Sequence, residues 1–139
     1  MTTIDFYTHV PECLAVAARL VTKAVVAHGS VRVLTPDVAT TDALDRLLWA
    51  APPTGFLPHC RIDALVAAET PVWIDHRLEH NGPAVVLVNL HPDPPPFFSR
   101  FERLAEIVGT DAADAGRARY RFYRERGYEL RAHNLSERG

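Results

Sequence analysis

The chain has 139 residues, of which 47% are hydrophobic and 23% charged, with a formal net charge of −2 and two cysteines. That length suits a single domain burying roughly two thirds of its unfolded surface, and no apolar run approaches the ~20 residues of a membrane-spanning helix. Cys13 and Cys60 form no CxxC pair, and Met1–Tyr7 lacks the basic and apolar regions of a secretory signal, so a reduced cytoplasmic protein is expected.

Alternation in Thr3–Thr8 predicts a first strand. Pro11 opens an amphipathic helix through His28, in which Leu14, Ala17, Ala18, Val21, Ala24 and Val25 recur at three- and four-residue spacing and Gly29 is the C-cap. Val31–Leu34 reads as a second strand. Thr40 or Thr41 caps a helix running to Trp49, with Leu44, Leu47 and Leu48 as its buried face, and the Pro52–Gly55 loop ends it. Pro71–Ile74 and Ala84–Leu90 are further strands, the second a continuous apolar run as expected for a strand covered on both faces. The stretch Asp75–His80 between them reads as an exposed hairpin loop.

The proline-rich segment from His91 to Pro96 is a rigid loop, and a helix is predicted from Phe97 or Phe98 to Val108. Thr110 or Asp111 caps the last helix, Asp114 favours its positive end and Gly127 stops it. Tyr128–Leu130 closes the order as a strand. Strands alternating with helices imply an α/β fold, a single Rossmann-like three-layer domain around a largely parallel sheet. Residues 1–131 form that domain and residues 132–139 a flexible tail.

The last helix carries the strongest chemical signal. Residues 117–126 hold five arginines and three aromatics. Residues 1–115 contain eight basic and fourteen acidic groups, net −6, whereas residues 116–139 contain seven basic and three acidic, net +4. A cationic end on an acidic body points to an anionic partner there. At helical spacing Arg117, Arg121 and Arg124 line one stripe beside Tyr120, offering planar donor forks for carboxylate or phosphate next to an apolar ring. The alternative is a solvated helix face, and Arg119 and Arg126 on the other side fit plain solvation.

Other chemistries find no support. The link Thr8–Glu12 after the first strand has no glycine, and neither G-x-G-x-x-G nor G-x-x-x-x-G-K-[ST] occurs, which argues against a nucleotide cofactor. His76 and His80 stand four apart, but loop composition is the simpler explanation than a metal site. No serine lies in a G-x-S-x-G elbow, so a binding protein rather than an enzyme is expected.

Three segments together resemble the chi subunit of the bacterial DNA polymerase III holoenzyme. They are the opening strand with Phe6-Tyr7, Leu48-Trp49-Ala50-Ala51-Pro52 followed by Phe56-Leu57-Pro58-His59, and the run from Arg117 to Arg124 ending in Gly127-Tyr128-Glu129-Leu130. Pro71-Val72, Leu87–Leu90, Phe101 and Val108 fit in order between them. The resemblance implies a non-catalytic clamp-loader accessory subunit without cofactor or metal, associated with single-stranded DNA indirectly. Its partner would be single-stranded DNA-binding protein, whose acidic C-terminal tail ends in a phenylalanine carboxylate.

By the resemblance Arg117, Tyr120 and Arg121 match the family's tail site, and Val108 and Gly127 line its pocket. Arg124 is added from helix geometry alone. Ala113 stands where the family has a further basic residue. The resemblance also implies a surface for the psi subunit at Trp49, Phe56 and Pro58, where large aromatics serve either as core or as interface anchors. The competing reading is direct nucleic-acid binding by the same helix, arginines on phosphates and aromatics on bases.

Overall fold

A computed structural model describes residues 2–49, 59–60, 72–80 and 84–135. In chain order the elements are β1 (Thr3–Val10), α1 (Cys13–His28), β2 (Val31–Leu34), α2 (Val38–Trp49), β3 (His59–Cys60), β4 (Val72–Asp75), β5 (Val86–Asn89), a 3-10 turn (Phe98–Arg100), β6 (Arg103–Gly109), α3 (Ala113–Glu125) and β7 (Leu130–Asn134). The strands form one sheet in the order β3-β4-β2-β5-β6-β1-β7, and every neighbouring pair is parallel.

The strand order explains the layers. From β1 through α1 to β2, and from β2 through α2 to β3, the chain moves toward the β3 edge. From β6 through α3 to β7 it moves the opposite way. Right-handed crossovers running in opposite directions lie on opposite faces of a sheet, so α1 and α2 share one face and α3 covers the other. Two cores result. Beneath α1 and α2 lie Val16, Ala17, Val21, Leu44 and Leu48 against Val31, Val33, Ile74, Val88 and Ile107. Beneath α3 lie Ile4, Phe6, Leu34, Leu87, Leu104, Val108 and Tyr123 with Phe97, Phe98 and Phe101. In β2, β4 and β5 every residue is buried, as parallel strands between two helix layers require.

Local expectations hold at Gly29, whose φ of +92° ends α1 with its N–H donating to the Val25 carbonyl. Four others change. The helix predicted over 97–108 is a 3-10 turn followed by β6, which lies between β5 and β1 and buries residues on both faces. Asp37, rather than Thr40 or Thr41, caps α2, its Oδ1 accepting the Thr40 N–H at 2.7 Å. Leu47 is 39% exposed and takes no part in the buried face. Residues 132–134 are no tail, because they pair with β1 as part of β7. Residues 50–58, 61–71, 81–83 and 136–139 lie outside the described set.

Nor is Asp75–His80 an exposed hairpin. β4 and β5 are parallel with β2 between them, and His80 is buried. The buried Arg32 guanidinium organises this stretch by donating to the carbonyls of Val33, Glu79, Asp75 and Arg77 at 2.8–3.3 Å and to His80 Nδ1 at 3.2 Å, over the Phe97 ring. Burial pushes its pKa down to about 10.

Candidate functional site: a cavity at the sheet's switch point

β6 and β1 are neighbours whose outgoing connections leave in opposite directions and on opposite faces. Such a switch point opens a crevice beyond the carboxyl ends of the two strands, where open α/β sheets place ligands. A cavity of about 170 Å³ sits there, lined by Thr8 and His9 of β1, Val108 and Gly109 of β6 with Thr110 just after it, and Ala113, Gly116, Arg117 and Tyr120 of α3, with Phe6 behind. An apolar cavity of about 150 Å³ is enough to take a benzene ring.

Each wall has a local cause. In β1 the register slips between Tyr7 and Val10, so that two residues, Thr8 and His9, stand opposite Val108 alone. This bulge puts His9 at φ +57°, an uncommon conformation for a residue with a side chain, and turns both residues toward the cavity. Across from it Gly116 lets α3 sit close on β6, since a Cβ there would fall 2.5 Å from Val108 Cγ1. Tyr120 leans edge-on against Phe6, ring centroids 5.2 Å apart.

The remainder of α3 divides cleanly. Gly116, Arg119 and Tyr123 form its buried stripe. Arg117, Arg121 and Arg124 are all exposed on the outer side, as the stripe predicts. Neither Thr110 nor Asp111 caps α3: the cap position is Ala112, with no side-chain hydrogen bond, so the first turn keeps its N–H groups and the positive end of the helix dipole close to the cavity, which Ala113 and Arg117 line. Asp114 holds the Arg117 guanidinium in an ion pair on the surface.

The structure therefore brings Val108, Arg117 and Tyr120 together around one cavity. Arg121 and Arg124 extend from it along the helix surface without lining it. Gly127 is past the helix end, about three turns from Gly116, where its φ of +84° ends α3 and turns Tyr128 onto Phe98 at 5.2 Å. It does not line the cavity. Ala113 does, and it brings no charge to the cavity. Trp49 is the last residue of α2, while its side chain, Phe56 and Pro58 lie outside the described residues.

Sequence reasoning missed Phe6, Thr8, His9 and Gly116. Gly116 left a signal, an isolated glycine inside a helical pattern, which usually marks a close approach. The β1 bulge left none. Arg119 is also corrected: it is 3% exposed, not solvated, and donates from Nε to Glu106 Oε1 at 2.8 Å and from Nη1 to the Pro92 carbonyl at 2.8 Å. Glu106 is saturated by Asn89 Nδ2 at 2.9 and 3.0 Å and by the Tyr123 hydroxyl at 2.5 Å. Burial raises the Glu106 pKa against these partners, but with its oxygens all engaged this is a structural network. Among the described residues no cluster of three or more metal-ligating side chains occurs, and no helix is long and apolar enough to cross a membrane.

Comparison with known proteins fits this arrangement. Residues 1–131 match the family model described as DNA polymerase III chi subunit, HolC. The chain is also 35% identical over 142 residues to DNA polymerase III subunit chi of Pseudomonas aeruginosa, an alignment covering 97% of this chain and 98% of the relative. A family match across nearly the whole chain, joined to a relative aligned along almost its full length, places this protein in the DNA polymerase III chi subunit family.

Proposed function

We propose that the protein acts without catalysis, as the accessory subunit that couples DNA polymerase III and its clamp loader to single-stranded DNA-binding protein. It would do so by capturing that protein's acidic, Phe-terminated C-terminal tail at the switch-point cavity. The terminal phenyl ring enters between Phe6, Val108 and Tyr120. Its α-carboxylate meets Arg117 and the uncapped first turn of α3, where charge-assisted hydrogen bonds are strongest. Arg121 and Arg124 attract the tail's aspartates along the exposed stripe, which speeds encounter more than it adds affinity. Trp49, Phe56 and Pro58 form the surface for a psi partner.

What carries the reading is the meeting of an apolar cavity of about 170 Å³ with an arginine and an open helix N-terminus at its mouth. A fluorescence titration with an acidic peptide ending in Ile-Pro-Phe, against the same peptide lacking the Phe, tests it. Binding lost with the Phe and again in Arg117→Ala supports tail capture. Equal, weak, salt-sensitive binding of both peptides would reject it and favour a helix that binds nucleic-acid phosphates.

A further inference from the structure

Among the described residues, no helix covers the β1–β7 end of the sheet face that carries α1 and α2. β1 alternates, with Ile4 and Phe6 in the core beneath α3 while Tyr7 packs on the opposite side. In the β1–β7 ladder Asp5 is opposite Arg131 and Tyr7 opposite His133. The side chains follow that register. Asp5 Oδ1 lies 3.2 Å from Arg131 Nε and 3.0 Å from His133 Nε2. The His133 ring stacks on Tyr7, with centroids 4.9 Å and planes 18° apart.

Between this ladder and α1 run two adjoining cavities, of about 580 and 200 Å³, which share Tyr7, Leu20 and Lys23. Arg19 lines the first and Arg103 the second. With Arg131, four cationic side chains face two carboxylates, Asp5 and Glu12. Among the described residues Arg19, Lys23 and Arg103 have no carboxylate partner.

We propose that this cleft binds single-stranded nucleic acid, with phosphates on Arg19, Lys23, Arg103 and Arg131 and a base stacked on the Tyr7–His133 pair. Charge complementarity alone would also admit an acidic peptide, but a peptide leaves the stacked rings unused, whereas every base offers a π-face to them. The cleft opens on the face opposite the switch-point cavity, with β1 between, so both can be filled at once. This goes beyond tail capture and stands or falls without it.

The test is fluorescence anisotropy of a fluorescein-labelled oligothymidylate with the full chain and no other protein. Four phosphate contacts give a log–log salt slope of roughly −3, or about 50-fold weaker binding between 50 and 200 mM salt. Arg19 and Lys23 are exposed on α1, so Arg19→Glu/Lys23→Glu keeps the fold, checked by circular dichroism, and weakens binding about 10-fold or more. His133→Ala weakens it about 5-fold while leaving the salt slope in place. The proposal is overturned by no anisotropy change, by displacement of the oligonucleotide with a Phe-less acidic peptide, or by loss in Arg121→Glu/Arg124→Glu with the α1 variant unaffected. The last outcome would place the strand on α3.

Discussion

Arg119 Nε lies 2.8 Å from Glu106 Oε1 with both side chains out of solvent, and this pair fastens α3 to β6 behind the switch-point cavity. Removing one partner leaves a buried charge uncompensated, so Arg119→Met should cost about 3–5 kcal/mol, measured by urea unfolding. Arg119→Met/Glu106→Gln should recover much of that, because Gln still meets Asn89 and Tyr123. The pH dependence has a definite sign. Burial holds the Glu106 carboxyl above its ordinary value, so the native state takes up this proton before the unfolded chain does. Its contribution is greatest below the unfolded value of about 4.3 and is lost as pH rises through the folded one. Without Arg119 the folded value climbs further. The deficit of Arg119→Met should therefore be smaller near about pH 5 than near about pH 7.5. A deficit independent of pH would mean that the carboxyl stays charged throughout.

Gly116 sits where any side chain would strike Val108. Gly116→Ala should cost about 1–3 kcal/mol by overpacking, even though alanine is the better helix former. Because the same methyl group also pushes on the cavity wall, Phe-dependent peptide binding should fall severalfold. Gly116→Ala/Val108→Ala makes room for it and should be less unstable than the two single losses added together. Additive losses would show that the two residues do not press on one another.

The sequence made the parallel core legible, since β5 falls inside the apolar run Ala84–Leu90 and Gly29 marks the end of α1 where the structure ends it. It misled at residues 97–108 for a physical reason. Phe97, Phe101, Leu104 and Val108 recur at helical spacing, yet the first two belong to the turn before β6, while Leu104 and Val108 lie on one strand face. Local periodicity cannot separate these. Arg119 was misread in the same way, because its partner Glu106 comes from a neighbouring strand. Helical spacing pointed to Arg117 and Tyr120, and the family resemblance added Val108. Phe6, Thr8 and His9 were missed, because strand order alone brings β1 beside β6.

The ion pair between Asp114 and Arg117 makes a further difference measurable. In the free protein Asp114 occupies the guanidinium that a tail carboxylate would use, and it adds a negative charge at the cavity mouth. Asp114→Asn should tighten binding of the Phe-terminated peptide severalfold, with the gain larger at low salt. Arg121→Glu/Arg124→Glu should chiefly slow association and flatten the salt dependence, leaving the ratio between peptides with and without Phe in place. Stopped-flow association rates over a salt series separate the two effects. An unchanged affinity in Asp114→Asn would mean that Arg117 does not meet the carboxylate.

His9 carries the last prediction, because its backbone is held where side chains are disfavoured. At φ +57° the Cβ crowds the following carbonyl, a penalty of about 1–2 kcal/mol that glycine escapes. The bulge is fixed by β6, which pairs Tyr7 with Ile107 and Val10 with Gly109 and leaves one position for two residues. The side chain itself contributes little, being exposed and, among the described residues, joined only to Thr8 Oγ1 at 3.0 Å. His9→Gly should therefore raise stability by about 1 kcal/mol relative to His9→Ala, and His9→Val should fall below both, since branching at Cβ aggravates the same clash. Urea unfolding of the three variants checks the order. Equal stabilities would mean that β1 relaxes its bulge in solution, and Thr8 would then leave the cavity wall along with His9.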